Sequence, residues 1–198
     1  MMIFILTKKD QVNICEHLAS LIRESFRPVT VFTDAEEFWT AIQLAKPRGC
    51  QIFAPSRSEE RFDILKSNDA DECFADDGCL AEKLNCDKVL ELIGPKTLED
   101  SMKCLNSGGI CCVTGVLGGI EYMDEFDPIK IIPNGRYLTS FFSNYPTQEI
   151  MDNLFDFIIK NNIKPEISRV FYNLEDIGKA HTLMESNIAQ GKIIFKLE

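Results

Sequence analysis

Short apolar runs of strand length alternate with longer stretches of helical period along this chain. The runs Ile3–Leu6, Val29–Phe32, Gln51–Ala54, Glu72–Phe74, Lys88–Leu92, Ile110–Thr114 and Leu138–Phe142 predict strands. Between them, Asp10–Glu24, Ala35–Lys46, Ser58–Ser67 and Leu98–Leu105 predict helices. The first of these carries a one-sided stripe of Val12, Ile14, Cys15, Leu18, Leu21 and Ile22. Ser58 precedes Glu59 and Glu60, and Thr97 precedes Leu98, Glu99 and Asp100; both read as N-caps with acids in the positive first turn. Strand–helix alternation of this kind demands a parallel sheet covered by helices on both faces. The unbroken apolar character of Val89-Leu90 and Ile110–Val113 suits strands buried on both sides.

Beyond Phe142 the pattern changes. Thr147 is placed to cap a helix whose stripe is Ile150, Met151, Leu154, Phe155 and Ile158, and Asn161-Asn162 ends it. A strand near Ile167–Phe171, a helix from Leu174 to about Ser186 and a strand at Lys192–Leu197 follow. The stretch from Gly118 to Gly135, with Pro128 and Pro133, is the one long irregular segment, and loops of that length often carry function. The expected fold class is α/β: a doubly wound, Rossmann-like parallel sheet with appendages at both ends. Its parts are an N-terminal β-α extension over 1–34, the main domain over 35–146 and a small α/β segment over 147–198.

Composition narrows the functional classes. A formal charge of −10 argues against a protein that tracks nucleic-acid phosphates, which needs clustered Lys and Arg. Met1–Leu6 is too short an apolar run for a secretory signal and meets Lys8 and Lys9 on its far side, and no run reaches the length of a membrane span. A cytoplasmic chain with no nucleic-acid or membrane partner is expected. The eight cysteines form no C-x-x-C pair and have no histidine at ligand spacing, so no metal site and no disulfide are expected. Cys111 and Cys112, inside an apolar run, read as small buried hydrophobes.

From Ala41 onward the order of segments resembles the medium-chain dehydrogenase/reductase superfamily, in its zinc-independent, quinone-oxidoreductase-like branch. Ala41–Lys46 resembles that family's first cofactor-domain helix, and Ser56–Arg61 the turn after its second strand. Val89–Gly94 with Thr97–Ser101 resembles its fourth strand and the next helix; Asn106–Ile110 leading into Thr114–Gly119 resembles its fifth strand and glycine loop. Leu174–His181 and Gly191–Ile194 resemble its closing helix and strand. The shared order spans about three-quarters of the chain.

The resemblance implies NADP(H) as cofactor. In such sheets an acid after the second strand holds a free ribose hydroxyl, whereas here Pro55-Ser56-Arg57 stands there, with Arg61 one turn on. Alone, Arg57 reads as a solvated loop charge; in this context Ser56, Arg57 and Arg61 suit a 2′-phosphate. By the same token Leu92, Ile93, Gly94, Thr114, Gly115 and Val116 would line the dinucleotide, and Phe141, Phe142 and Ser143 would approach the nicotinamide. Relatives of this branch pair through the last strand, which implies a homodimer through Leu138–Phe142.

Two features depart from the family pattern. The glycine-rich turn before Ala41 is replaced by Thr33-Asp34-Ala35-Glu36-Glu37-Phe38-Trp39-Thr40, which puts three acids where two phosphates should sit. About thirty-five residues stand where the family has a separate catalytic domain. A phosphorylation receiver is rejected, because the first and third strands lack its acids. A nucleophilic hydrolase lacks a G-x-S-x-G elbow, and His17 and His181 both fall in helical patterns. Two functions are carried forward. One is an oxidoreductase domain moving hydride between NADP(H) and a small quinone or activated carbonyl substrate, with no general acid assigned. The other is a truncated, catalytically inactive relative acting as a folded dimeric module.

Overall fold

The computed structural model describes residues 29–32, 38–141, 146–186, 188–189 and 191–196, with backbone alone for 29–32 and 38. The described residues form two compact units, which meet in sequence near position 144.

In the larger unit six strands build one sheet. They are β1 (Val29–Phe32), β2 (Gln51–Ser56), β3 (Glu72–Ala75), β4 (Cys86–Glu91), β5 (Leu105–Val113) and β6 (Tyr137–Ser140). The spatial order is β3-β2-β1-β4-β5-β6 and every pairing is parallel. Val29–Phe32 falls within the expected extension 1–34, yet it pairs with both β2 and β4, so the sheet begins ahead of the expected boundary. The expected Ile3–Leu6 strand and Asp10–Glu24 helix lie outside the described residues.

Helix α1 (Phe38–Ala45) links β1 to β2 and buries Trp39, Ala41, Ile42, Leu44 and Ala45. A 3-10 turn, Glu59–Arg61, runs into α2 (Phe62–Ser67) before β3. Helix α3 (Leu98–Lys103) connects β4 to β5 and drives Leu98 and Met102 into a cluster with Leu80, Leu84, Val89 and Leu105. Side chains on both faces of β4 are buried except at Asp87, as expected of an inner strand. Edge strand β6 is mostly exposed, while β3 is half-buried beyond the exposed Glu72.

Several boundaries differ from the sequence pattern for identifiable reasons. Neither Ser58 nor Thr97 caps its helix through the side chain. Strand β5 starts at Leu105, because Leu105 pairs with Cys86 before Asn106–Gly109 leaves the ladder and Ile110 rejoins it opposite Lys88. The last strand is Tyr137–Ser140 rather than Leu138–Phe142. Within the segment read as irregular, Asp127 accepts from the Ile129 N–H and Pro128 opens a one-turn helix, α4 (Pro128–Ile131).

In the smaller unit, Thr147 caps α5 (Gln148–Lys160) by accepting from the Ile150 N–H, as its sequence suggests. Strands β7 (Ile167–Phe171) and β8 (Lys192–Phe195) pair in parallel, and α6 (Ile177–Glu185) joins them. Ala180, Met184, Ala189 and Ile193 form its small core, flanked by Phe171 stacked on Phe195 at 5.3 Å. No helix among the described residues is long and apolar enough to cross a membrane.

Candidate dinucleotide-binding rim

Chain order runs outward from β1 through β2 to β3, and in the opposite direction from β4 through β5 to β6. The reversal lies between β1 and β4, and ligands of such sheets sit beyond the carboxyl ends of the strands beside it. In β4 that end is Glu91, followed by the turn Leu92-Ile93-Gly94; in β5 it is Val113, followed by Thr114–Gly118.

Glu91 is fully buried. Its Oε1 accepts from the N–H groups of Ile93 (2.8 Å) and Gly94 (3.0 Å) and from the Thr97 hydroxyl (2.9 Å), while Oε2 accepts from the Ser101 hydroxyl (2.5 Å). One carboxylate therefore ties the strand end to its turn and to the first two turns of α3. The Thr97 hydroxyl serves this carboxylate rather than the helix end, which is why Thr97 is not a side-chain cap.

The β5 loop crosses the β4 turn in close contact. The N–H groups of Thr114, Leu117 and Gly118 donate to the carbonyls of Glu91, Leu92 and Ile93 at 2.9, 3.1 and 2.9 Å. A methyl group on Gly115 would lie 2.6 Å from the Leu92 carbonyl oxygen, and one on Gly118 2.8 Å from that of Ile93. Gly94, at φ +91°, faces the Gly115 carbonyl in the same crossing. These glycines are required by contact between two backbones, a reason independent of any ligand.

The expected cofactor residues thus differ in what they present. Leu92, Ile93 and Gly94 are buried, and their polar backbone groups are engaged within the rim. Thr114 Oγ1 is a buried oxygen with no hydrogen-bond partner among the described residues, beside Gly115 and the exposed Val116. At the end of β2, Ser56 is 1% exposed; its hydroxyl donates to the Ser58 carbonyl and accepts from the Ser58 N–H. Burial turns that hydroxyl into the chain, leaving Arg57 exposed on the turn and Arg61 half-buried behind it. Phe141 continues β6 by donating its N–H to the Val113 carbonyl at 2.9 Å; Phe142 and Ser143 lie outside the described residues, as does Thr33–Glu37.

These features fit a dinucleotide in part. The reversal of strand order, the unpartnered Thr114 hydroxyl and the exposed guanidinium after β2 suit one, while no glycine turn is present in sequence to receive its pyrophosphate. Zinc is not fitted: among the described residues no three His, Cys, Asp or Glu side chains converge on a common point. Of the seven described free cysteines, five are buried. Burial pushes the thiols of Cys104 and Cys112 up to about 12 and raises those of Cys86 and Cys111 further, so these groups stay protonated and unreactive at neutral pH. Glu91 was not among the expected site residues; its only signal in sequence is a single acid interrupting the apolar run Val89–Ile93.

Comparison with known proteins places this geometry. The family model described as "Zinc-binding dehydrogenase" matches residues 68–195. No curated protein sequence matches the chain. Among solved structures, AibC superposes with a TM-score of 0.78 at 19% identity, over 96% of this chain and 55% of its own. The quinone oxidoreductase from Coxiella burnetii gives 0.73 at 22% identity, over 94% and 58%. The Bacillus subtilis protein yhfP, solved with NAD bound, gives 0.73 at 21% identity, over 94% and 60%. The chain thus spans little more than half the length of these neighbours. On the family match and the sheet order together, the chain belongs to the zinc-binding dehydrogenase family of the medium-chain dehydrogenase/reductase superfamily and carries its nicotinamide-dinucleotide-binding fold.

Proposed function

We propose that this chain is the NADP(H)-binding part of an oxidoreductase that moves hydride between the nicotinamide and a quinone or activated carbonyl. The observation that carries the reading is the carboxyl-end rim beside the β1/β4 reversal, in an all-parallel sheet of the dehydrogenase order. Bound NADPH supplies the hydride; the protein's part is to hold, orient and shield it from water. Arg57, with Arg61 behind it, would pair with the 2′-phosphate, and Ser56 acts by fixing the turn that presents Arg57. The Thr114 hydroxyl and the backbone of Gly115 and Val116 would face the cofactor. Leu92–Gly94 would set the wall behind it by shape, and Phe141 would border the nicotinamide end.

The protein is further proposed to dimerise through β6, an open and largely exposed sheet edge. Light scattering would then give twice 22.5 kDa. A second reading, a folded dimeric module without turnover, is favoured by Asp34, Glu36 and Glu37 in the turn that should receive the pyrophosphate.

Titration with NADPH and NADH, followed by fluorescence and thermal shift, separates the two. The enzyme reading expects micromolar NADPH binding that Arg57→Ala weakens about tenfold or more while leaving NADH unaffected. Absence of any response at millimolar nucleotide would overturn it and leave the non-enzymatic module.

A further inference from the structure

We propose that Glu91 is a positioning residue: a buried carboxylate that holds both loops of the rim at the separation a ligand requires. The inference deepens the dinucleotide reading and rests on it for its functional consequence.

Four donors reach the Glu91 carboxylate from three different pieces of chain. The N–H groups of Ile93 and Gly94 belong to the β4 turn, the Thr97 hydroxyl to the entry of α3, and the Ser101 hydroxyl to that helix's second turn. With both turn amides directed inward at the carboxylate, the carbonyls of Leu92 and Ile93 accept from Leu117 and Gly118. The Glu91 carbonyl itself takes the Thr114 N–H, at the residue whose hydroxyl is unpartnered. A single side chain thereby governs the β4 turn directly and the β5 loop through that turn's carbonyls. A carboxylate accepts at both oxygens, so it serves all these donors at once. A fully buried acid in an inner strand is costly unless so paired, and these four donors belong to the rim and to its supporting helix. Glu91 is fully buried, which assigns it no direct contact with substrate or cofactor.

Glu91→Gln and Glu91→Ala distinguish positioning from general stabilisation. Glutamine keeps one oxygen for Ile93, Gly94 and Thr97, and the Ser101 hydroxyl can turn to accept from its amide. Amide hydrogen exchange is read at Ile93, Gly94, Leu117 and Gly118, against Ile52 and Asp71, whose N–H groups are held on the β2–β3 side. Glu91→Ala is expected to speed exchange at the four rim amides about tenfold or more while the two reference amides keep their protection. Glu91→Gln is expected to restore most of that protection. The NADPH dissociation constant should rise about tenfold in the alanine variant and less in the glutamine one. Faster exchange at rim and reference amides alike, or unchanged rim amides in a folded alanine variant, overturns the proposal. If Glu91→Ala fails to fold, Glu91→Gln carries the test: its rim amides must exchange faster than the parent's while the reference pair does not. Should the parent bind no nucleotide, the exchange pattern still decides the role of Glu91, so that failure belongs to the dinucleotide reading.

Discussion

Gly115→Ala tests whether the rim is a rigid wall. The added methyl carbon would lie 2.6 Å from the Leu92 carbonyl oxygen and 3.3 Å from that residue's carbonyl and α carbons. All three obstacles are backbone, so no rotamer change relieves them. Leu92 cannot retreat cheaply either, because its oxygen holds the Leu117 N–H at 3.1 Å and the next two amides are fixed on Glu91. Overpacking of this kind costs about 1–3 kcal/mol. Weakening the Leu117 bond adds about 1 kcal/mol, so the total is about 2–4 kcal/mol. In a chain of 198 residues each kcal/mol lowers Tm by about 2–4 °C, which predicts a fall of about 5–15 °C. Thermal unfolding followed by circular dichroism measures it. The control is Gly178→Ala, where an added methyl group meets nothing within 4 Å and the melt should stay within about 2 °C of the parent. A Gly115→Ala protein melting with the control would refute the idea that two unyielding backbones cross here.

Two other expectations concern stability. Cys104 and Cys112 have pKa values pushed up to about 12 by burial, from an ordinary 9.0. A raised folded-state value means the thiols' contribution is fully present below pH about 9 and is lost as pH climbs toward about 12, so Tm measured from about pH 8 to about pH 11 should fall over the upper part of that range. A flat profile would contradict it. The Asp100 carboxylate accepts from the N–H groups of Leu80 (2.8 Å) and Ala81 (3.3 Å), with Leu80 buried. Asp100→Ala strands a buried donor and should cost about 1–3 kcal/mol in chemical denaturation; a midpoint equal to the parent's would show that the segment finds another acceptor.

The architecture was legible where one local rule decides. Val29–Phe32 and Ile167–Phe171 are strands over the residues their apolar pattern marks, and Thr147 caps α5 because a threonine ahead of an amphipathic run has one obvious bond to make. Reading failed where a side chain had a distant partner. Thr97 looks like a cap in sequence, but the acceptor at Glu91 sits on the preceding strand. Ser56 is of the right type for a phosphate, yet its inward position at the strand end commits the hydroxyl to Ser58. The β5 extension is hidden because Asn106-Ser107-Gly108-Gly109 has the composition of a loop while Leu105 before it still pairs with Cys86. Gly115 is expected from the family resemblance to line the dinucleotide, yet its nearest neighbour, like that of Gly118, is a carbonyl of the adjoining turn. What a residue touches across the sheet is not written in its spacing.

The middle of the sheet joins segments far apart along the chain. Val31 lies opposite Val89, a separation of about sixty positions, whereas β1–β2 and β4–β5 close over much shorter spans. Closing the seam therefore costs about 1 kcal/mol more loop entropy than closing either neighbouring pair. The cleft proposed to take the nucleotide opens over that seam, so whatever fills it would act as a clasp between two halves of the sheet that are distant in sequence.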